Sequence, residues 1–158
     1  MTPLALGLAQ ANRRAVVLWA LDLAQEAVEQ LRAQLPHETR PAQALVQARR
    51  WAAGEIRMPE AQAAILDCHR AAKTLSDPAQ AALCHAVGQA CATVHTPGHA
   101  LGFPVYELTA IVLQVGAQAC REPVLSRCAQ YQDRLLGWMD AEGQINGPWA
   151  AFLKRDCR

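Results

Sequence analysis

The chain has 158 residues, of which 52% are hydrophobic and 18% charged, the size and composition of one globular domain with a core of its own. Lys and Arg (15) nearly balance Asp and Glu (14), for a formal net charge of +1. No global field draws in a polyanion or an anionic membrane, so neither nucleic acid nor a membrane is expected as a partner.

In chain order, residues 1–11 carry no helical period and read as a loosely ordered start to a single domain over 1–158. From Asn12 to Leu35, Val17, Leu21, Ala24, Val28, Leu31 and Leu35 recur at alternating steps of four and three, the spacing of one helical face. Pro36 to Thr39 breaks that helix. Pro41 opens a second, carrying Ala44, Leu45, Ala48, Trp51 and Ala52 and stopping at Gly54, where a left-handed cap is cheap for glycine. Met58-Pro59 starts a third, which runs to about Leu75 and gives way at Ser76-Asp77-Pro78, a capping residue followed by a helix-opening proline.

The fourth helix carries Leu83, Val87, Ala90 and Val94, with Ala86, Gly88 and Ala92 small enough to let a neighbour approach, and ends near Thr96 before Pro97-Gly98. After Gly102-Phe103-Pro104 a fifth, strongly apolar helix holds Tyr106, Leu108, Ile111, Val112, Leu113 and Val115. Pro123 opens a sixth, with Leu125, Cys128, Leu135, Trp138 and Met139 expected inward. Gly143 and an Asn146-Gly147-Pro148 turn precede a short terminal helix around Trp149, Phe152 and Leu153. No stretch alternates with period two between turn residues, so no strand is expected. The fold class is all-α: a bundle of about six antiparallel helices, joined by short connections, plus a short C-terminal helix.

Six cysteines stand in a chain whose N-terminus, MTPLALGLAQANRR, lacks the pattern of a secretory signal; they read as reduced thiols in a cytoplasmic protein. In TVHTPGHALG, His95 and His99 stand four apart but are separated by Pro97 and Gly98, so one regular helix does not hold both. Two readings remain open. Cys91, His95 and His99, with Cys84 one turn-pair earlier, could form a mixed thiolate and imidazole site for a borderline metal, which would make the protein a helical metal-binding protein or small metalloenzyme. The alternative is a helix end with buried structural thiols and two imidazoles bonding terminal carbonyls. The absence of a CxxC pair, an HExxH segment or a carboxylate in register favours the second, with no cofactor. Cys68-His69 and Cys84-His85 read as adjacency without meaning, and the Asp22, Glu26 pair as solvent-exposed charge.

RPAQALVQARRWAAGEIRM at 40–58 surrounds Trp51 with Arg40, Arg49, Arg50, Glu55 and Arg57. Tryptophan flanked by guanidinium groups suits a protein-recognition anchor, because Trp and Arg dominate binding hot spots. The competing reading puts Trp51 in the core, with Arg49 or Arg50 paired to Glu55.

Three stretches together resemble a known family: RRAVVLWALDLA at 13–24, RPAQALVQARRWAAGEIRM at 40–58 and GQACATVHTPGHALGFPVYELTAI at 88–111. The chain is similar to the all-helical immunity proteins of bacterial polymorphic toxin systems, in particular an immunity-protein-5-like domain. The matching positions are Arg13, Arg14, Trp19, Asp22, Arg40, Pro41, Arg49, Trp51, Gly54, Glu55, Gln89, His95, His99 and Tyr106. The resemblance implies a non-catalytic protein that protects its producer by binding a cognate toxin. With a net charge of +1, the surface is not the acidic one that would neutralise a basic nuclease, and a toxin of another class is favoured. A further expectation is self-association as a homodimer, with the apolar fifth helix as the seam.

Overall fold

Proline sets where many of the helices begin. A computed structural model of the chain describes residues 2–141 and 147–155. Its elements are α1 (Pro3–Gln10), α2 (Arg13–Gln34), α3 (Arg40–Ala52), α4 (Met58–Thr74), α5 (Pro78–Ala92), a 3-10 segment (Pro97–Leu101), α6 (Gly102–Val115), α7 (Arg121–Asp140) and α8 (Ala151–Lys154). Pro3, Pro41, Pro59 and Pro78 stand in the first turns of α1, α3, α4 and α5, and Pro97 opens the 3-10 segment. A first-turn proline gives up an amide that has no helical partner anyway, and its fixed φ already suits the helix. Side chains also cap helix starts: Asn12 accepts from the Arg14 amide at 2.9 Å at α2, and Asp77 from Ala79 and Gln80 at 2.8 and 3.2 Å at α5. Gly54 takes φ +80°, the left-handed turn that ends α3.

The all-α expectation holds: the described residues contain no strand, and no helix among them is long and apolar enough to cross a membrane. α5 is the central helix, packed by α2, α3, α4 and α6. Its buried residues are mostly small: Ala79, Ala82, Cys84, Ala86, Gly88, Ala90 and Cys91, with Leu83 and Val87 as the larger pieces. Small side chains bring neighbouring backbones close, and α2 supplies the bulk around them with Trp19, Leu23, Val28 and Leu31.

The structure departs from the sequence expectations at three places. Residues 3–10 form a helix, capped by the Thr2 hydroxyl, with Leu4 and Leu8 against the core. α6 buries Phe103, Pro104, Glu107 and Ala110 and leaves Leu113 and Val115 exposed. On α7 only Tyr131 and Leu135 are buried, and Leu125, expected inward, is 59% exposed. For α6 and α7 one period fits several rotations of an apolar helix, and tertiary contacts choose between them. Gly143 and Asn146, expected to lead into the terminal helix, lie outside the described residues; that helix forms at Ala151–Lys154.

Candidate functional site

The end of α3 carries the residues with the strongest sequence claim to partner binding. Trp51 is only 5% exposed. Its indole stacks on the His95 ring, with centroids 5.7 Å apart and planes at 11°, and Phe152 of α8 packs against both rings at 6.1 and 5.9 Å. Trp51 is therefore a core residue and not an exposed anchor, because the helix C-terminus of α5 and the terminal helix cover it. Arg40 lies at the opposite end of α3. There Glu38 holds its guanidinium through Nε at 2.8 Å and a terminal nitrogen at 2.6 Å, and this pair fixes the α3 start instead of offering a free cation. Arg49, Arg50 and Glu55 are exposed, with Arg50 Nε 3.3 Å from the Glu55 carboxylate. At such exposure the ion pair contributes little to stability and leaves both groups available.

The turn after α5 separates the two histidines. His95 is exposed and lies on Trp51, and its backbone carbonyl accepts from Arg13 at 3.0 Å. His99 turns back into the fold, its Nδ1 2.7 Å from the Gln89 side-chain oxygen. With an amide oxygen facing the ring, Nδ1 carries the proton and donates. Gly102 explains the glycine of HALG: a Cβ there would stand 2.5 Å from that same Gln89 oxygen. Cys91 is fully buried within α5, and burial pushes its thiol up to about 12. The proposed ligand set of Cys91, His95 and His99 thus does not converge. Among the described residues, no three His, Cys, Asp or Glu side chains come together in a way that could hold a metal ion.

Two features go beyond the sequence expectations. His69 of α4 and His85 of α5 meet with their Nδ1 atoms 2.8 Å apart and ring centroids 5.1 Å apart. Those two distances put both nitrogens on the line between the rings, so one Nδ1 donates and the other accepts. An ion held along both lone pairs at about 2.0 Å would need the nitrogens about 4 Å apart, so this spacing is a hydrogen bond and not a shared ligand pair. Burial first, then neighbouring positive groups, holds both imidazoles below the usual histidine range. Tyr106 completes the group, its ring 5.1 Å from that of His85.

The second feature is an ionic network joining α2, α6 and α7. Arg127 donates from Nε and a terminal nitrogen to the Glu107 carboxylate at 2.9 Å each, and from that terminal nitrogen to Glu26 at 2.9 Å. The Tyr131 hydroxyl donates to Glu107, and Arg134 reaches Glu26 and, at 3.6 Å, Asp22. Asp22 and Glu26 are therefore half-buried bridge residues and not solvated charge. The Trp19 indole N–H meets the same helix, donating to the Tyr131 carbonyl at 2.9 Å. Burial and the Glu107 charge raise the Tyr131 phenol, which keeps it a donor. The signal was present in the sequence: acids four apart on α2 match arginines seven apart on α7, both spacings of a single helical face.

Two grooves flank the end of α3. One, of about 480 Å³, is lined by Leu18, Asp22, Arg49, Trp138 and Trp149 among others. The other, of about 220 Å³, lies against the edge of Trp51 and is lined by Met58, Gln62, Leu66, His95 and His99 among others. The sequence profile of the Imm-5 like putative immunity proteins matches residues 7–134. The chain belongs to that family. Neither a curated protein nor a solved structure matches it. Within this family member, the residues that carry the resemblance mostly hold helices to one another: Trp19 and Asp22 to α7, Trp51 to His95, Gln89 to His99, Tyr106 to His85.

Proposed function

We propose that the protein is a non-catalytic immunity protein that binds and neutralises a cognate bacterial toxin in the cytoplasm. The toxin contact lies over the C-terminal end of α3 and the start of α4. The observation that carries this reading is that Arg49 lines one of two grooves at the end of α3, with Arg50 and Glu55 exposed close by in sequence, in a chain whose family is one of immunity proteins. Concavity beside exposed arginine is what a protein partner's anchor side chains need. Met58 and Leu66, 41% and 48% exposed, add apolar area at the rim of the smaller groove. The weak net charge of +1 argues for a toxin other than a basic nuclease.

The test is co-expression with the toxin candidates encoded beside it, scored by cell survival and by affinity of the purified pair. Arg49→Ala, Arg50→Ala, Glu55→Ala together are expected to weaken the complex by roughly 2 kcal/mol or more, about thirtyfold, with the melting temperature retained. Full protection and unchanged affinity in the triple variant would remove this surface from the reading. Turnover of the toxin by the protein would remove the non-catalytic part.

A further inference from the structure

Residues 147–155 lie as a strap across the ends of three helices. The Ala150 amide donates to the Ala52 carbonyl, at the end of α3, at 2.7 Å, and the Phe152 carbonyl accepts from Arg13, at the start of α2, at 3.4 Å. The Phe152 ring packs on Trp51 and on His95, just past the end of α5, at 6.1 and 5.9 Å, with the Arg13 guanidinium 5.8 Å from its centre. Gly54 lets the strap approach, since a Cβ there would stand 3.2 Å from the Ala150 Cα. Arg13, Trp51, Gly54 and His95 come from well-separated places in the chain, and all four are among the positions that carry the family resemblance. Together they build one seat. What it holds is a short peptide: an N–H, an aromatic ring two residues on, and the carbonyl of that second residue.

The strap is weakly closed. Only Ala150 and Leu153 of it are buried, and the Arg13 bond is longer than the usual 2.7–3.2 Å. Closure also shuts the Trp149 indole N–H away from water with no acceptor among the described residues, a cost that opening removes. The Ala52 carbonyl is a helix-end acceptor without a partner inside α3, so a donor from any chain can satisfy it. The strap further stands between the two grooves. Pro148 and Trp149 wall the larger one, while Phe152 lies on Trp51 and His95, which line the smaller. Lifting the strap joins the grooves over Trp51.

We infer that Arg13, Trp51, Gly54 and His95 form a peptide-binding seat that the chain's own strap occupies, and that a toxin segment displaces the strap by placing an aromatic side chain where Phe152 lies. The inference rests on the toxin-binding reading for the identity of the partner, but its test contains no toxin, so either can fail without the other. The probe is a fluorescein-labelled peptide of residues 147–155, titrated into the full chain and read by anisotropy. A tethered segment competes at an effective concentration of about millimolar. Wild type should therefore bind the peptide at least about tenfold more weakly than the Phe152→Ala chain, whose own strap lacks the ring. The peptide carrying Phe152→Ala should bind neither chain. Should the Phe152→Ala chain not fold, Phe152→Leu takes its place. In the wild type, the Ala150 amide should exchange with deuterium at least about a hundredfold faster than that of Val87 in the middle of α5. Equal protection of those two amides, no binding by the variant chain, equal binding by variant and wild type, or binding of the ringless peptide would each overturn the inference.

Discussion

Replacing Arg127 with methionine isolates what the ionic network contributes. The Arg127 and Glu107 side chains are only 12% and 9% exposed, so the pair is screened little by water. Methionine fills most of the same space but leaves the Glu107 carboxylate buried with only the Tyr131 hydroxyl bound to it. Glu26 loses one partner and keeps Arg134. The cost therefore falls on Glu107, and removing one member of a buried pair is destabilising by about 3–5 kcal/mol. That is a large share of the roughly 5–15 kcal/mol that holds a domain folded. In urea, with a slope of about 2 kcal/mol per molar, the midpoint should fall by about 2 M. Adding Glu107→Gln removes the orphaned charge while keeping an acceptor for Tyr131, so the double variant should recover at least about 2 kcal/mol. Arg127→Met within about 1 kcal/mol of wild type, or a double variant no better than the single, would refute the reasoning, since either result would mean that the carboxylate is hydrated in the native state.

Trp51→Ala should lower stability by about 3–5 kcal/mol, read as the loss of a buried aromatic from its cluster with His95 and Phe152; an unchanged melt would return that ring to the surface. Gly102→Ala should push Gln89 off His99 and cost about 1–3 kcal/mol, with Gln89→Ala in the same chain relieving part of the strain; equal melts for wild type and Gly102→Ala would show that the gap is loose. The His69, His85 pair makes stability fall with acid. Burial, followed by nearby positive groups, lowers both imidazoles from their ordinary 6.5, so the unfolded chain takes up protons first as pH drops below that value. Melting temperature should drop between about pH 7 and about pH 5, and drop less in His69→Gln, His85→Gln; equal drops would assign the effect elsewhere.

Helix existence was legible because the punctuation is chemical. Asn12, Asp77 and the prolines at 41, 59 and 78 mark boundaries that the structure reproduces to within a residue or two. Rotation of the apolar helices was not legible. α6 offers Leu113 and Val115 as readily as Phe103 and Ala110, and the choice is made by packing on α5 and α7, its neighbours along the chain, which a helical period does not reveal. The candidate site was legible in part. Arg49, Arg50 and Glu55 are where a partner could reach them, but Trp51 and Arg40 are spent inside the molecule. The reason is shared: an aromatic ring or a guanidinium looks the same on paper whether it awaits a partner or has one. His69, His85 and the α7 arginines show the converse, since their partners sit 16 residues away for the histidines and 101 to 108 away for Glu26.

The alanine, glycine and cysteine coat of α5 determines which parts of this protein are free to diverge. Four neighbours press on that helix with little side-chain volume between them, so almost any enlargement there pushes several backbones at once. The outer faces of α3 and α4 press on nothing. A library randomised over 46–66 at its exposed positions should yield folded proteins with altered binding, while one over 79–91 should collapse to a few small residues. A scaffold divided this way can keep its architecture while the exposed positions of α3 and α4 vary.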